Sequence, residues 1–284
     1  MKKIIITFVT LILFATACKR DNILTQNQWG DIFKKYGIDS ACFELSDNNH
    51  DEIFIYNLNR ASKRYTPAST FKIMNALIAL ETNVALDENL VIPWDKTIRS
   101  KAEWNKDMNM REAFKLSNVP YFQELARRIG QTEMQKYLDT VRYGNKRIGP
   151  KIDENWLNDT LQISADEQVG LMKKLYFDKL PFAQRTQRIV RSLMMHEDST
   201  NYKLYYKTGT NWSSADGGQK KLLWIVGFVD KKETQIGVVT KKPETNFKPY
   251  FFAMNFETSD TTMDYNATRL QILKDILRER RIIK

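Results

Sequence analysis

An α+β fold, with a sheet assembled from both ends of the chain and a helical insert between them, is predicted by three observations. Strand-like alternation appears early, at residues 41–45 and 53–58. Helical periodicity then fills the chain from Asp87 to about Met195, and strand character returns after it. No repeat and no linker divides residues 28–284, which read as one unit of two lobes with a cleft between them.

The elements follow in order. Met1-Lys2-Lys3, an apolar run from Ile4 to Ala17 too short to span a bilayer, and the small-residue exit Ala15-Thr16-Ala17 read as an export signal over residues 1–17. Cleavage there leaves Cys18 first, where a lipoprotein signal places its acylated cysteine. Soluble and lipid-anchored forms both stay open, and residues 18–27 read as a polar tether. Pro67 precedes a helix over residues 71–80 that is apolar nearly all round, the pattern of an element buried inside a larger body. The helical middle divides into segments near residues 121–129, 133–141, 165–177 and 182–194, broken at Gly130, Gly144, Pro150 and Pro181. Strands are expected at residues 203–206, 222–229, 235–240 and 250–256, and a last helix at 266–280.

At 284 residues, 42% apolar and 27% charged, the chain can close a substantial core and is not disordered. Removing residues 1–17 takes away Lys2 and Lys3 and no acid, so the formal charge of +10 becomes +8. The basic residues are scattered among acids, and of the runs Lys19-Arg20 and Arg278-Glu-Arg-Arg281 the second ends a helix where cations suit the dipole. This is a solvated basic surface, with no nucleic-acid partner implied. With Cys18 lipidated or in a tether, Cys42 has no disulfide partner and reads as a buried small hydrophobe. His50 and His196 stand alone, with no second His or Cys at metal-ligand spacing, which argues against a zinc site and against a Ser-His-Asp triad.

The chemistry concentrates around Ser69-Thr70-Phe71-Lys72, the only Ser-x-x-Lys of the chain. Three residues apart on a helix, the hydroxyl and the amine share a face, so a nucleophile has its candidate base one turn away. Alone the motif is weak. Lys207-Thr208-Gly209 follows a strand-like run, where a cationic strand suits a carboxylate and a glycine lets a ligand approach; a turn is the competing reading. Ser117-Asn118-Val119 reads as a loop presenting a hydroxyl, or as a helix cap. Tyr143-Gly144-Asn145 reads as a turn. Their order strengthens all four: nucleophile with base, hydroxyl loop, turn, cationic strand.

On these residues, and on Pro93-Trp-Asp95, Trp104-Asn105, the stretches 123–130 and 250–255, Trp156-Leu157, Ile163-Ser164 and Leu180-Pro-Phe182, the chain resembles the class D, oxacillinase-type, serine β-lactamases over nearly all of residues 30–284. The resemblance implies the fold of the penicillin-recognising serine enzymes: an antiparallel sheet from both chain ends plus an all-helical lobe. It implies hydrolysis of penicillins and oxacillin-type β-lactams, hence antibiotic resistance, by an exported periplasmic enzyme that needs no metal or cofactor beyond carbon dioxide or bicarbonate. Ser69 would attack the lactam carbonyl, and Lys72, carboxylated on its amine, would act as general base. Phe71, Val119 and Trp156 would form the dry pocket around that amine, with the Trp156 N–H holding the carbamate. Ser117 and Lys207 would pass a proton to the lactam nitrogen, and backbone N–H groups of Ser69 and Thr210 would form the oxyanion hole. Thr208, Gly209 and Arg269 would bind the substrate, with Thr208 and Arg269 on its carboxylate. Monomer and homodimer both stay open.

Three positions depart from the family pattern. Thr210 replaces a bulky aromatic after Lys-Thr-Gly, residues 230–249 are longer than the usual hairpin, and Pro120 stands where tryptophan is common. The rivals are a β-lactam sensor domain that stays acylated and a penicillin-binding transpeptidase or carboxypeptidase. Both tend to carry asparagine where this chain has Val119.

Overall fold

The computed structural model describes residues 22–213, 217–236 and 241–284. The leader over 1–17, Cys18 and Lys19-Arg20 lie outside them. The described elements run β1 (Asn22–Thr25), α1 (Trp29–Lys35), β2 (Ser40–Asp47), β3 (Glu52–Tyr56), α2 (Leu58–Ser62), a 3₁₀ turn (Ala68–Phe71) continuing into α3 (Lys72–Glu81), β4 (Val91–Ile92), a 3₁₀ turn (Ala102–Trp104), β5 (Met108–Asn109), α4 (Met110–Lys115), α5 (Val119–Ile129), α6 (Gln131–Val141), α7 (Ala165–Tyr176), α8 (Gln184–Met194), β6 (Met195–Asp198), β7 (Tyr202–Trp212), β8 (Lys221–Ile236), β9 (Pro243–Thr258) and α9 (Tyr265–Glu279). No helix among the described residues is long and apolar enough to cross a membrane.

Among the described residues the main sheet has the order β1-β3-β2-β9-β8-β7-β6. The early strand β2 lies against the last strand β9, antiparallel, from Ser40 opposite Glu257 to Asp47 opposite Tyr250. Both chain ends therefore meet in the middle of one sheet, as the order of strand and helix signals predicted. Every neighbouring pair is antiparallel except β1 with β3, which is parallel. Asn22–Thr25, part of the stretch read as a tether, supplies that edge strand.

Both faces of the central strands are covered, which explains their unbroken apolar runs. On β8, Leu222, Trp224, Val226 and Phe228 face the helical lobe, while Leu223, Ile225 and Val229 join Trp29, Phe33, Ile272 and Leu273 under α1 and α9. Helix α3 sits inside the helical lobe with every residue from Lys72 to Leu80 buried, as its all-round apolar pattern predicted.

The expected strands at 222–229 and 235–240 are not two elements. β8 is continuous to Ile236 and stays in register with β9 from Lys221 opposite Thr258 to Ile236 opposite Pro243; residues 237–240 lie outside the described ones. The polar run Asp230-Lys-Lys-Glu-Thr broke the apolar signal because the ribbon leaves the core there. Its rungs are held by main-chain pairing and by Glu233, which ion-pairs with Lys231 and Lys248.

The turn at Tyr143-Gly144-Asn145 has a packing reason. Gly144 sits at φ +49, and a Cβ there would lie 1.9 Å from the Gln162 carbonyl oxygen. Asn145 donates its backbone N–H to that oxygen at 2.9 Å and its Nδ2 to the Thr160 oxygen at 2.9 Å, while Tyr143 packs edge-on against Phe71. Gly144→Ala is expected to cost about 3 kcal/mol, from left-handed strain plus overlap with backbone that cannot swing aside. A drop in Tm of roughly 5–10 °C checks it.

Candidate active site

The serine lies on the 3₁₀ turn that opens α3. In such a turn residues three apart nearly eclipse, so the chain brings Ser69 and Lys72 closer than an α-helical start would. Lys72 Nζ donates to Ser69 Oγ at 2.6 Å. The turn is pinned from both sides: Thr70 Oγ1 donates to the Pro67 oxygen at 2.7 Å and accepts from Gln168 Nε2 of α7 at 2.9 Å. Ala68, just before the nucleophile, holds φ +50, and Ser117 holds φ +54. Left-handed backbone at non-glycine residues costs energy, and here it flanks both hydroxyls of the site.

Lys72 is fully buried. Its Nζ lies 5.6 Å from the centre of the Phe122 ring. Burial, and secondarily the charge of Lys101, pull its pKa down to about 7, so much of it is neutral at physiological pH. Phe71 stacks on Trp156, with ring centroids 5.3 Å apart and an interplanar angle of 25°. Trp156 is also fully buried, and its indole Nε1 has no hydrogen-bond partner among the described residues. A buried donor without an acceptor is costly, and this one belongs to the ring stacked on Phe71, the residue before Lys72.

Ser117 stands between α4 and α5. Its Oγ accepts from Lys207 Nζ at 2.9 Å. The capping reading applies to the next residue instead: Asn118 Oδ1 accepts from Tyr121 N at 2.8 Å and starts α5, which leaves Val119 half-buried on the cleft wall. Lys207, Thr208, Gly209 and Thr210 are consecutive on β7, so the competing turn reading of Lys-Thr-Gly gives way to a strand. Lys207 is buried, and burial first, then the charges of Lys72, Arg269 and Lys101, hold its pKa well below the ordinary lysine value.

Gly209 is where β7 touches the nucleophile turn. A Cβ there would lie 2.9 Å from the Pro67 oxygen. Arg269 of α9 is only 3% exposed and is no surface helix residue. Its Nη1 donates to the Gly209 oxygen at 2.8 Å and to Thr210 Oγ1 at 3.1 Å, and its Nη2 donates to Asn266 Oδ1. Burial pulls its pKa down to about 10, which leaves it charged.

Ser69, Ser117, Val119, Thr208, Thr210 and Arg269 line one cleft of about 460 Å³. Lys72 and Lys207 are buried behind it, hydrogen-bonded to the lining hydroxyls of Ser69 and Ser117, while Phe71 and Trp156 stack on each other in the core and do not line it. Sequence reasoning missed several residues on this cleft. His196 lines it, stacked on Tyr206 at 3.8 Å between ring centres, and burial and the Lys207 charge lower its pKa to about 4, so it is neutral. Lys101 and Lys115 also line it. His50 lies elsewhere, its Nδ1 2.8 Å from Asp47 Oδ2.

A family model for the penicillin binding protein transpeptidase domain matches residues 31–276. The chain is 38% identical over 239 residues to β-lactamase OXA-48 of Klebsiella pneumoniae, covering 84% of this chain and 83% of that one. It is 35% identical over 255 residues to β-lactamase OXA-5 of Pseudomonas aeruginosa, covering 90% of each. In fold it is similar to the crystal structure of FUS-1 (OXA-85), a class D β-lactamase from Fusobacterium nucleatum subsp. polymorphum, with TM-score 0.81 and 33% identity over 92% of this chain and 100% of that one. A class D β-lactamase from Sebaldella termitidis gives TM-score 0.82 at 29% identity over 93% and 100%. Likeness of one kind, in sequence and in fold and along almost the whole length, means that the chain belongs to the penicillin-binding transpeptidase-domain family and, within it, to the class D β-lactamases.

Proposed function

We propose that the protein hydrolyses β-lactam antibiotics in two half-reactions on Ser69, with the Lys72 side chain as general base in both. The observation that carries this is a fully buried amine, about half neutral at pH 7, 2.6 Å from a serine hydroxyl. Deprotonated by its neighbour, Ser69 Oγ attacks the lactam carbonyl and the ring C–N bond opens. Lys207 and Ser117, already hydrogen-bonded, deliver a proton to the departing nitrogen. Backbone N–H groups of Ser69 and Thr210 are assigned to the carbonyl oxygen; one such donor contributes about 3 kcal/mol to lowering the barrier. Thr208 and the buried Arg269 charge orient the substrate carboxylate, with Gly209 letting β7 lie close against the turn that carries Ser69.

Carboxylated by carbon dioxide, the Lys72 side chain would offer a carbamate oxygen as the general base in place of the amine nitrogen. The residues present fit that group: the amine is neutral enough to react, Phe71 and Trp156 keep its surroundings dry, and the unpartnered Trp156 Nε1 offers a donor. Val119 closes the cleft wall beside Ser117 with an apolar side chain. An exported, periplasmic enzyme, soluble or anchored through Cys18, completes the proposal and rests on the leader sequence alone.

Turnover of a penicillin is expected to rise several-fold on adding bicarbonate. The rise should weaken below pH 7, since at a pKa of about 7 only about a tenth of the amines are neutral at pH 6. Steady-state hydrolysis from pH 6 to 8, with and without bicarbonate, measures it. Stoichiometric acylation without turnover at saturating bicarbonate would overturn the reading in favour of a sensor or transpeptidase.

A further inference from the structure

The cleft walls are one-signed. Three of the described residues that line it, Lys101, Lys115 and Arg269, are cationic, and none of the described lining residues is Asp or Glu; a fourth cation, Lys207, is buried behind Ser117 and hydrogen-bonded to its Oγ. The two inner cations belong to the catalytic machinery and to recognition of the carboxylate that all penicillins carry. The two outer ones are left over. Lys101 and Lys115 are exposed at the mouth, on the helical side, and neither has an ion-pair partner among the described residues. The nearby Lys106 does have one, Glu112; Glu103, the acid of the same turn, is exposed and does not line the cleft. Lys101 is also held in place: its Nζ lies 4.6 Å over the Trp104 ring, and that indole is fixed by its Nε1 donating to the Leu116 oxygen at 3.1 Å.

Scattered lysines on a chain of net charge +10 would be the ordinary explanation. Two facts separate this rim from such scatter. Its charges act inside the cleft, Lys101 lowering the pKa of both Lys72 and Lys207 and Lys115 that of His196. And the neutral His196 adds no compensating charge on the opposite lip.

We infer that Lys101 and Lys115 form a second anion subsite, across the cleft from Thr208 and Arg269, which makes β-lactams bearing an additional carboxylate on the acyl side chain the favoured substrate class. This rests on the catalytic reading above. The shared ring carboxylate goes to the sheet side, and an added side-chain carboxylate meets two unpaired ammonium groups instead of water alone. The field also raises the local concentration of a dianion at the mouth, an effect on kcat/KM that salt screens.

Carbenicillin and benzylpenicillin differ only by that side-chain carboxylate and form the test pair. At about 20 mM ionic strength, two ammonium groups taken at about 10 Å from the added charge, screened over about 20 Å, predict a kcat/KM ratio, carbenicillin over benzylpenicillin, of about 2. The ratio should fall toward 1 at 0.5 M salt, where screening acts over about 4 Å. In the double variant Lys101→Gln/Lys115→Gln it should be near 1 at both ionic strengths. A ratio at or below 1 at low salt, or a preference that survives in the double variant, overturns the subsite while benzylpenicillin turnover leaves the catalytic reading standing. No turnover of either compound by the unsubstituted protein overturns both.

Discussion

Lys72→Ala is expected to lower kcat/KM for a penicillin by about 10⁴-fold or more, the scale on which losing the base of a serine nucleophile acts. Acylation and deacylation should both slow, because the same side chain prepares the serine and then the water. The variant should still fold. Lys72 is fully buried and its one hydrogen bond is to Ser69, so truncation removes stem packing but also removes an amine that is costly to bury. The pH dependence of stability gives a second readout. The pKa falls from an ordinary 10.5 to about 7 on folding, so between those values the unfolded chain holds a proton that the folded chain has released. Unfolding free energy therefore gains a contribution that grows as pH rises through that window, and Lys72→Ala lacks it. Thermal melts of both proteins at pH 7 and pH 10 check the sign: the unsubstituted protein should gain stability relative to the variant at the higher pH. Unchanged penicillin turnover in the variant would show that the base lies elsewhere.

Much of this site was legible because its parts are local. A serine and a lysine three residues apart on an apolar helix share a face, and Lys-Thr-Gly followed a strand signal, although only the structure decided between strand and turn there. The helix at 71–80 announced its burial because Lys72 to Leu80 holds no exposed side chain. What stayed hidden depends on contacts between distant segments. Arg269 was assigned to the substrate only through the resemblance, since nothing in its own neighbourhood records that Gly209 and Trp224 carbonyl oxygens receive its guanidinium. Gln168, a polar residue of an ordinary helix, turns out to hold the nucleophile turn through Thr70. His196 was read as isolated because isolation in sequence was all that spacing could measure, yet it borders the cleft. The long β8–β9 ribbon was split in two because apolar alternation reports burial, and its outer rungs are paired without being buried.

Gly209→Ala is expected to lower kcat/KM by about 10²-fold, through position alone, since a displacement of about 1 Å at a reacting group costs that much. Gly209 has no need of unusual backbone angles; it is small because two elements meet there. An added Cβ would lie 2.9 Å from the Pro67 oxygen, 3.2 Å from Thr70 Cγ2 and 3.3 Å from Ala68 Cβ, all in the turn that carries Ser69. The turn has little freedom to yield, with Thr66 tied to Trp224 Nε1 at 3.0 Å and Thr70 tied to Gln168. Something must move, and either the serine retreats from Lys72 or β7 retreats from the serine. In the second case Lys207, two residues earlier on the strand, moves with it and loses its register on Ser117. The melting temperature should fall by a few degrees, the ordinary scale of overpacking. The rate of the acylation burst, measured with a penicillin well below the melting temperature, separates displacement from unfolding: a folded variant with a burst slowed about 10²-fold is the expected result. A folded variant with an undiminished burst would mean that strand and turn can part without disturbing the serine. One interatomic contact therefore sets the spacing between the group that attacks and the group that protonates the leaving nitrogen, and glycine is the residue that permits it.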